Sequence, residues 1–211
     1  MASIDLSAGF DVVNVNLLVK RLRIIGLPDD VVSLIEIWLK NRMFYVEIDD
    51  HVSNIVNTSH GTIQGSILGP ILYAIYVSPL FDLTNISNFA DDNFVLTWSQ
   101  SKQTAINEME NKLTLITEWL KGSGLKVNEQ KTELCLFYRK DTPQIEINLN
   151  NVTIQSETVM NVLGVLFDSK LTWSNHVSKQ INKANKALHA IKLIWKYFNS
   201  KEILTLLTSN F

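Results

Sequence analysis

The spacing of hydrophobic positions changes period several times along the chain, and each change marks an element. Ile4 and Leu6 alternate with Ser3 and Asp5, the signature of the end of a half-buried strand. Ser7-Ala8-Gly9 breaks it, and Asp11 is placed to cap a helix through Ile25. Val13, Leu17, Leu18, Leu22 and Ile25 form that helix's inward stripe, and Gly26 and Pro28 stop it. Asp29-Asp30 opens a second helix, Val31 to Lys40, with Val32, Ile35 and Leu39 inward. Alternation over Met43 to Ile48, the pair Asp49-Asp50 and a return over His51 to Val56 predict a hairpin. A helix from about Ile67 to Leu80 follows a loop in which Gly61 and Gly65 bracket Gln64. Phe89 and Ala90 before Asp91-Asp92, with Phe94, Val95 and Leu96 after, predict a second hairpin whose break is the acidic pair.

The second half follows the same logic. Ser101 opens an amphipathic helix to about Lys121, with Ile106, Met109, Leu113, Ile116 and Leu120 on one face and Gly122 and Gly124 at its end. A strand is predicted over Leu134 to Tyr138. A hairpin joins Ile145–Leu149 to Val152–Gln155 through Asn150-Asn151. Val162 to Phe167 reads as a strand with Gly164 inside it, a sign of close approach by another backbone or a ligand. The last stretch is helical: Val177, Ile181, Ala184, Leu188, Ile191 and Trp195 share a stripe, with Lys179, Lys183 and Lys186 opposite. Antiparallel hairpins among helices give an α+β class, with a boundary near Asp168 where strands give way to basic helices.

Composition narrows the picture. The 211 residues are 46% hydrophobic and 19% charged, a folding composition. The longest apolar stretch, Ile67 to Phe81, is interrupted by Gly69, Pro70, Ser78 and Pro79 and is too short for a membrane span. Cys135 is the only cysteine, which excludes an internal disulfide or a cysteine zinc cluster and fits an intracellular, reducing compartment, nuclear or cytoplasmic. The net charge of −2 hides a division. Residues 1–99 hold 5 basic and 11 acidic side chains (−6), and residues 100–211 hold 14 and 10 (+4). Such a chain suits a cation site in one part and a polyanion surface in the other.

Taken singly, each candidate feature is ordinary. An acidic pair at a turn is good turn chemistry, a Gly-Gln-Gly loop joins a strand to a helix, and a lysine row is a solvated helix face. Taken together they suggest more. If the strand ending at Asp5 neighbours the Asp91-Asp92 hairpin, three carboxylates converge and a cation is needed to hold them ionised. Hard oxygen donors with water positions left open suit magnesium. Two such ions about 4 Å apart serve in-line phosphoryl transfer.

Three ordered motifs carry a resemblance. Asp5-Leu6-Ser7-Ala8-Gly9-Phe10-Asp11, Gly61 to Pro70 and Phe89-Ala90-Asp91-Asp92 resemble motifs of reverse transcriptases, in the form found in non-LTR (LINE-like) retrotransposons. Gly124-Leu125-Lys126-Val127-Asn128 with Lys131-Thr132, Val162-Leu163-Gly164-Val165, and Leu171 to Val177 continue the pattern over essentially the whole chain. The resemblance implies a polymerase palm, an antiparallel sheet backed by helices, over 1–168, and the start of a helical thumb over 169–211. It implies that Asp5, Asp91 and Asp92 hold two magnesium ions and that Lys131 approaches the leaving pyrophosphate. By the same resemblance Phe10 lies under the incoming sugar, where its bulk disfavours a 2′-hydroxyl, and Gln64 and Gly65 lie against nucleotide and template. Leu163, Gly164 and Val165 would grip the primer, and Lys179, Lys183 and Lys186 would meet the nucleic-acid backbone. The implied partners are an RNA template, a DNA primer and a deoxynucleoside triphosphate, with no membrane and no disulfide-linked partner; oligomeric state is left open.

The chain departs from the pattern at Gly9, where alanine is usual, and at Ile63, where proline or valine is frequent. Only four residues precede Asp5, so the fingers region is expected to be missing, and a truncated palm is expected to be inactive or nearly so alone. The competing expectation is a catalytically silent remnant that at most binds nucleic acid. A magnesium-dependent hydrolase is a third reading, which leaves Gln64, Gly65 and Gly164 without a role.

Overall fold

A computed structural model describes residues 1–84, 86–89, 92–138, 144–197 and 202. The elements, in chain order, begin with β1 (Ala2–Ile4), α1 (Val15–Ile24), α2 (Asp29–Lys40), β2 (Arg42–Phe44), β3 (Glu47–Ile48), β4 (His51–Val52) and β5 (Val56–Thr58). Next come α3 (Leu68–Val77), α4 (Pro79–Thr84), β6 (Ile86–Phe89), β7 (Asp92–Val95), α5 (Lys102–Gly122) and β8 (Glu133–Cys135). They close with β9 (Glu146–Leu149), β10 (Val152–Glu157), β11 (Val159–Val162), β12 (Val165–Asp168) and α6 (Ser174–Ile194). The chain forms two compact units: Met1–Leu134 with Ile145–Ser156, and Cys135–Gln144 with Glu157–Phe211.

The first unit is built on a six-stranded sheet in the order β6-β7-β1-β8-β10-β9. Period-two alternation decides its two faces. Ala2, Ile4, Leu6, Val95, Leu134, Ile147 and Leu149 are buried on one side, against a core that includes Leu18, Leu22, Tyr73, Tyr76, Leu113, Ile116 and Leu120. Their register partners' neighbours, Ser3, Asp5, Asp92 and Glu133, are half-buried or exposed on the other side. The sheet is therefore backed by helices on one face, as expected of an α+β palm, and carries its polar residues on the other.

Several local expectations are corrected. Asp11 does not cap α1; the cap is Asn14, whose Oδ1 accepts from the Leu17 amide at 3.1 Å. The helix thus starts later, and Val15, Leu18, Val19 and Leu22 form its buried face while Ile25 is exposed. α2 buries Val32 and Leu39 as predicted. The predicted 43–56 hairpin forms as two ladders, β2 with β5 and β3 with β4. Two residues, 45–46, stand opposite three, 53–55, so the returning strand carries a bulge. The strand expected to reach Tyr138 ends at Cys135. The Asn150-Asn151 turn is as read, with φ of 50° and 66° at the two residues, the left-handed geometry of a tight hairpin.

In α5, Ser101 accepts from the Thr104 amide at the start, and the Leu125 amide returns to the Leu120 carbonyl at the end. Gly124 supplies the φ of +75° that this closure requires. Beneath, the Arg21 guanidinium lies 4.6 Å from the Tyr76 ring centroid and 5.0 Å from that of Trp119. Burial lowers the Arg21 pKa and raises that of Tyr76. The Tyr76 hydroxyl donates to the Ser123 carbonyl, tying α3 to the end of α5.

The second unit pairs β11 with β12 in a hairpin and packs α6 against β12. The expected continuous strand over Val162 to Phe167 is not formed. Val162 and Val165 are register partners, and Leu163 and Gly164, with φ of 50° and 88°, make the turn between them. Gly164 was expected inside a strand; the paired left-handed residues place it in a two-residue turn instead. The apolar stripe of α6 is largely open: Val177 is 51% and Ile181 54% exposed.

Candidate active site

The polar face of the sheet brings the first acidic motif beside the second. β1 and β7 run antiparallel, with Ser3 opposite Phe94 and Ile4 opposite Asn93. One more step of that register sets Asp5 opposite Asp92, and opposed residues of an antiparallel pair share a face. Asp92 is not at the hairpin tip as expected: it is the first residue of β7 and the register partner of Phe89. Asp91 lies outside the described residues. Among the described residues no group of three or more His, Cys, Asp or Glu side chains is close enough to hold a metal. What they supply is two carboxylates on one open face, with the Asp5 side chain 35% exposed. Carboxylate oxygens with solvent access fit a hard divalent cation that keeps waters and takes phosphate oxygens.

Lys131 reaches this face through a break in the β1–β8 ladder. Asn128 donates its amide to the Asp5 carbonyl, while Glu133 pairs with Ser3. Ile4 alone therefore faces the four residues 129–132, and three residues are extruded. The Lys131 and Thr132 amides both turn back to the Asn128 carbonyl. The Lys131 Nζ lies 4.0 Å from Asp5 Oδ2, and with the lysine exposed the pair has small energetic weight.

The Gly9–Asn14 and His60–Gln64 segments are joined by main-chain bonds. Gly61 donates to the Val13 carbonyl at 2.7 Å and Thr62 to that of Phe10 at 2.8 Å. Gly61 sits at φ +87°, and a Cβ there would stand 2.7 Å from the Asp11 carbonyl oxygen, so only glycine fits. Gln64 Nε2 donates to Asp11 Oδ1 at 2.8 Å. Phe10 stacks on Tyr73 with ring centroids 4.3 Å apart. Gly9 is buried with the Tyr73 hydroxyl where an alanine methyl would go, 2.8 Å from the Cβ position. This accounts for glycine at a position where the resemblance expects alanine. Gly65 has φ of +78° and open space around it.

In the second unit the hairpin turn and the lysine row face one groove of about 1140 Å³, lined among others by Leu163, Gly164, Val165, Lys179, Lys183 and Lys186. The three lysines are exposed along it. The His176 ring accepts the Leu166 amide at Nδ1, 3.3 Å, and helps fix α6 to β12. Asp168 organises the connection: its carboxylate accepts the amides of Lys170, Thr172 and Trp173 and the Thr172 hydroxyl. These bonds, that of the Thr172 amide foremost, hold its pKa below the usual carboxylate value. They also stabilise a loop in which Leu171 and Trp173 have φ of 54° and 65°.

Asp168, His176 and the Asp11–Gln64 bond were not anticipated as structural determinants. Asp11 and His176 stood inside the quoted motifs, which was the available signal, whereas their partners lie 53 and 10 residues away.

Residues 1–167 match the family described as reverse transcriptase (RNA-dependent DNA polymerase). The RNA-directed DNA polymerase from mobile element jockey of Drosophila melanogaster is 29% identical over 188 residues, 84% of this chain and 20% of that protein. The probable RNA-directed DNA polymerase from transposon X-element of the same species is 28% identical over 160 residues, 72% of this chain and 18% of that protein. The chain thus spans about a fifth of the length of these curated relatives. Among solved structures, an apo telomerase from Candida tropicalis truncated from its C-terminal domain matches with a TM-score of 0.54 at 16% identity, over 82% of this chain and 34% of that one. A telomerase from Candida albicans in complex with a fragment of telomeric RNA matches with a TM-score of 0.57 at 12% identity, over 81% of this chain and 30% of that one. At these identities the likeness concerns the fold.

Proposed function

The chain belongs to the reverse transcriptase family, and from that premise we propose that it supplies the palm, 1–168, and the start of the helical thumb, 169–211, of an RNA-directed DNA polymerase. The observation that carries this reading is the antiparallel β1–β7 ladder, whose register continued by one step sets Asp5 opposite Asp92 on the open sheet face. Asp5, Asp91 and Asp92 would hold two magnesium ions, which when bound offset charge on the attacking and leaving oxygens of a nucleotidyl transfer. The reaction joins a primer 3′-hydroxyl to the α-phosphate of a deoxynucleoside triphosphate on an RNA template, with pyrophosphate leaving. Lys131, next to Asp5, is suited to neutralise or protonate the departing pyrophosphate. Phe10, buttressed by Tyr73, presents a rigid ring to the sugar, and a rigid ring discriminates against an added hydroxyl by overlap. Gln64 and Gly65 would meet the nucleotide and template. The hairpin at Leu163, Gly164 and Val165 would hold the primer, with Lys179, Lys183 and Lys186 along its phosphates.

Primer extension tests the reading. The 211-residue chain, and a chimera in which it replaces the matching stretch of the jockey polymerase, are given primed RNA, deoxynucleotides and magnesium. Extension by the chimera that is abolished by Asp91→Asn supports the assignment; extension by that variant at the parental rate refutes it. The lysine groove favours a second reading, backbone binding without chemistry. Salt-sensitive binding by a chimera that never extends a primer would select it.

A further inference from the structure

We infer that Arg42 is a positioning residue for the Gln64 loop, an inference that deepens the polymerase reading and rests on it for its functional consequence. Arg42 begins β2, directly after α2, and its guanidinium spans three main-chain carbonyls. Nε donates to Leu39 at 2.8 Å, and one terminal nitrogen donates to His60 at 2.6 Å and Gly61 at 2.7 Å. The Leu39 carbonyl belongs to the last turn of α2, where carbonyls lack helical partners. The other two lie in the segment that carries Gly61 at φ +87° and leads to Gln64. A planar fork with fixed donors can bridge carbonyls on two elements at once; an ammonium on a flexible stem cannot do so in one geometry. Arg42 therefore ties the end of α2 to the loop from outside, while Val13 and Phe10 accept the Gly61 and Thr62 amides from inside. Held between them, the loop delivers Gln64 to Asp11. An ionised carboxylate only accepts, so the Gln64 amide must turn its nitrogen to Asp11 and its oxygen outward. The side chain is then an acceptor for a donor on the nucleotide or template: a sugar hydroxyl or an exocyclic amine. Arg42 touches none of the reacting groups and acts through this orientation.

The test uses the full chain. In Arg42→Gln, hydrogen exchange at the Gly61 and Thr62 amides is expected to speed by about tenfold, the loss of roughly one charge-assisted bond, with the α5 amides unchanged. Arg42→Lys should fall between parent and Arg42→Gln, and decides the matter should Arg42→Gln fail to fold. In single-nucleotide extension by the jockey chimera, Arg42→Gln should raise the nucleotide KM with kcat little altered, and should add nothing to Gln64→Ala. Unchanged exchange at 61–62 overturns the inference, as do additive effects of Arg42→Gln and Gln64→Ala. A parent chain that extends no primer counts against the activity of this chain, and the exchange result then decides Arg42 alone.

Discussion

Two glycines in the Gln64 loop offer a test of the site's geometry that depends on no assumption about activity. Gly61 and Gly65 both have left-handed backbones, φ of +87° and +78°. Alanine at either costs about 1–2 kcal/mol in local strain, and at either it removes unfolded-state freedom to the same extent. Their surroundings differ. At Gly65 a methyl meets nothing within 4 Å. At Gly61 it stands 2.7 Å from the Asp11 carbonyl oxygen and 3.0 Å from both the Asp11 carbonyl carbon and Cα. These are backbone atoms, held by the same main-chain bonds that run from Gly61 to Val13 and from Thr62 to Phe10. Relief of the overlap must stretch or break those bonds, at a further cost of about 1–3 kcal/mol. Gly61→Ala is thus expected to lose about 2–5 kcal/mol in total and Gly65→Ala about 1–2. Urea unfolding of the parent and the two variants reads the difference as a shift of midpoint at constant slope. Equal midpoints, or a larger loss at Gly65, would mean that the loop does not lie against the Phe10–Val13 segment as described.

Three further outcomes follow from the same structure. Asp168 has a folded-state pKa below its unfolded value near 3.8, so its contribution is full above that value and is lost as pH falls through the lower folded one. Asp168→Asn should therefore melt at a lower temperature at pH 7 and show a smaller drop on acidification; identical melting curves across that range would contradict it. Replacing Lys179, Lys183 and Lys186 by glutamine should lower the slope of log affinity for primed RNA against log salt by about 2–3, one charge contact each, and an unchanged slope would remove them from the interface. Lys131→Ala should leave stability within about 0.5 kcal/mol, yet slow extension in the active chimera by roughly a hundredfold; parental rates would retire the leaving-group role.

The parts of the fold legible in the sequence are those whose cause is local. The α5 face, the Ser101 cap, the Gly124 terminus and the Asn150-Asn151 turn each follow from residues within one or two turns of chain. The misreadings were decided by partners across the fold. Asp11 and Asn14 are equally good caps by composition; Asn14 caps the helix, and Asp11 is engaged instead by Gln64, 53 residues away. Val162 to Phe167 has one apolar pattern and two foldings, and the choice between them rests on pairing across β11 and β12. The hairpin of the acidic motif is displaced by one residue for a like reason: the ladder keeps Asp92 opposite Phe89. Since side chains alternate, that single step decides which face the Asp92 carboxylate shares.

The excursion at 129–131 shows how the candidate site differs from the scaffold around it. The excursion interrupts the cross-strand pairing that Ser3 and Asp5 maintain on either side and replaces it with a local turn. The ion pair adds little stability there: Lys131 is exposed, its Nζ is 4.0 Å from Asp5, and such a pair is worth little in water. The interruption is held by the Lys131 and Thr132 amides and the Thr132 hydroxyl, all of which donate to the Asn128 carbonyl. The break sets a cation beside the carboxylate that closes β1, on the one sheet face that the helices leave open. A lysine there would repel a metal ion if it lay between ion and carboxylate, and would complement the charge of a triphosphate if it lay beyond it. On the proposed polymerase reading, the exposed ammonium and a separation at the limit of an ion pair suit the second arrangement, in which Asp5 would turn to the metal and Lys131 to the phosphates.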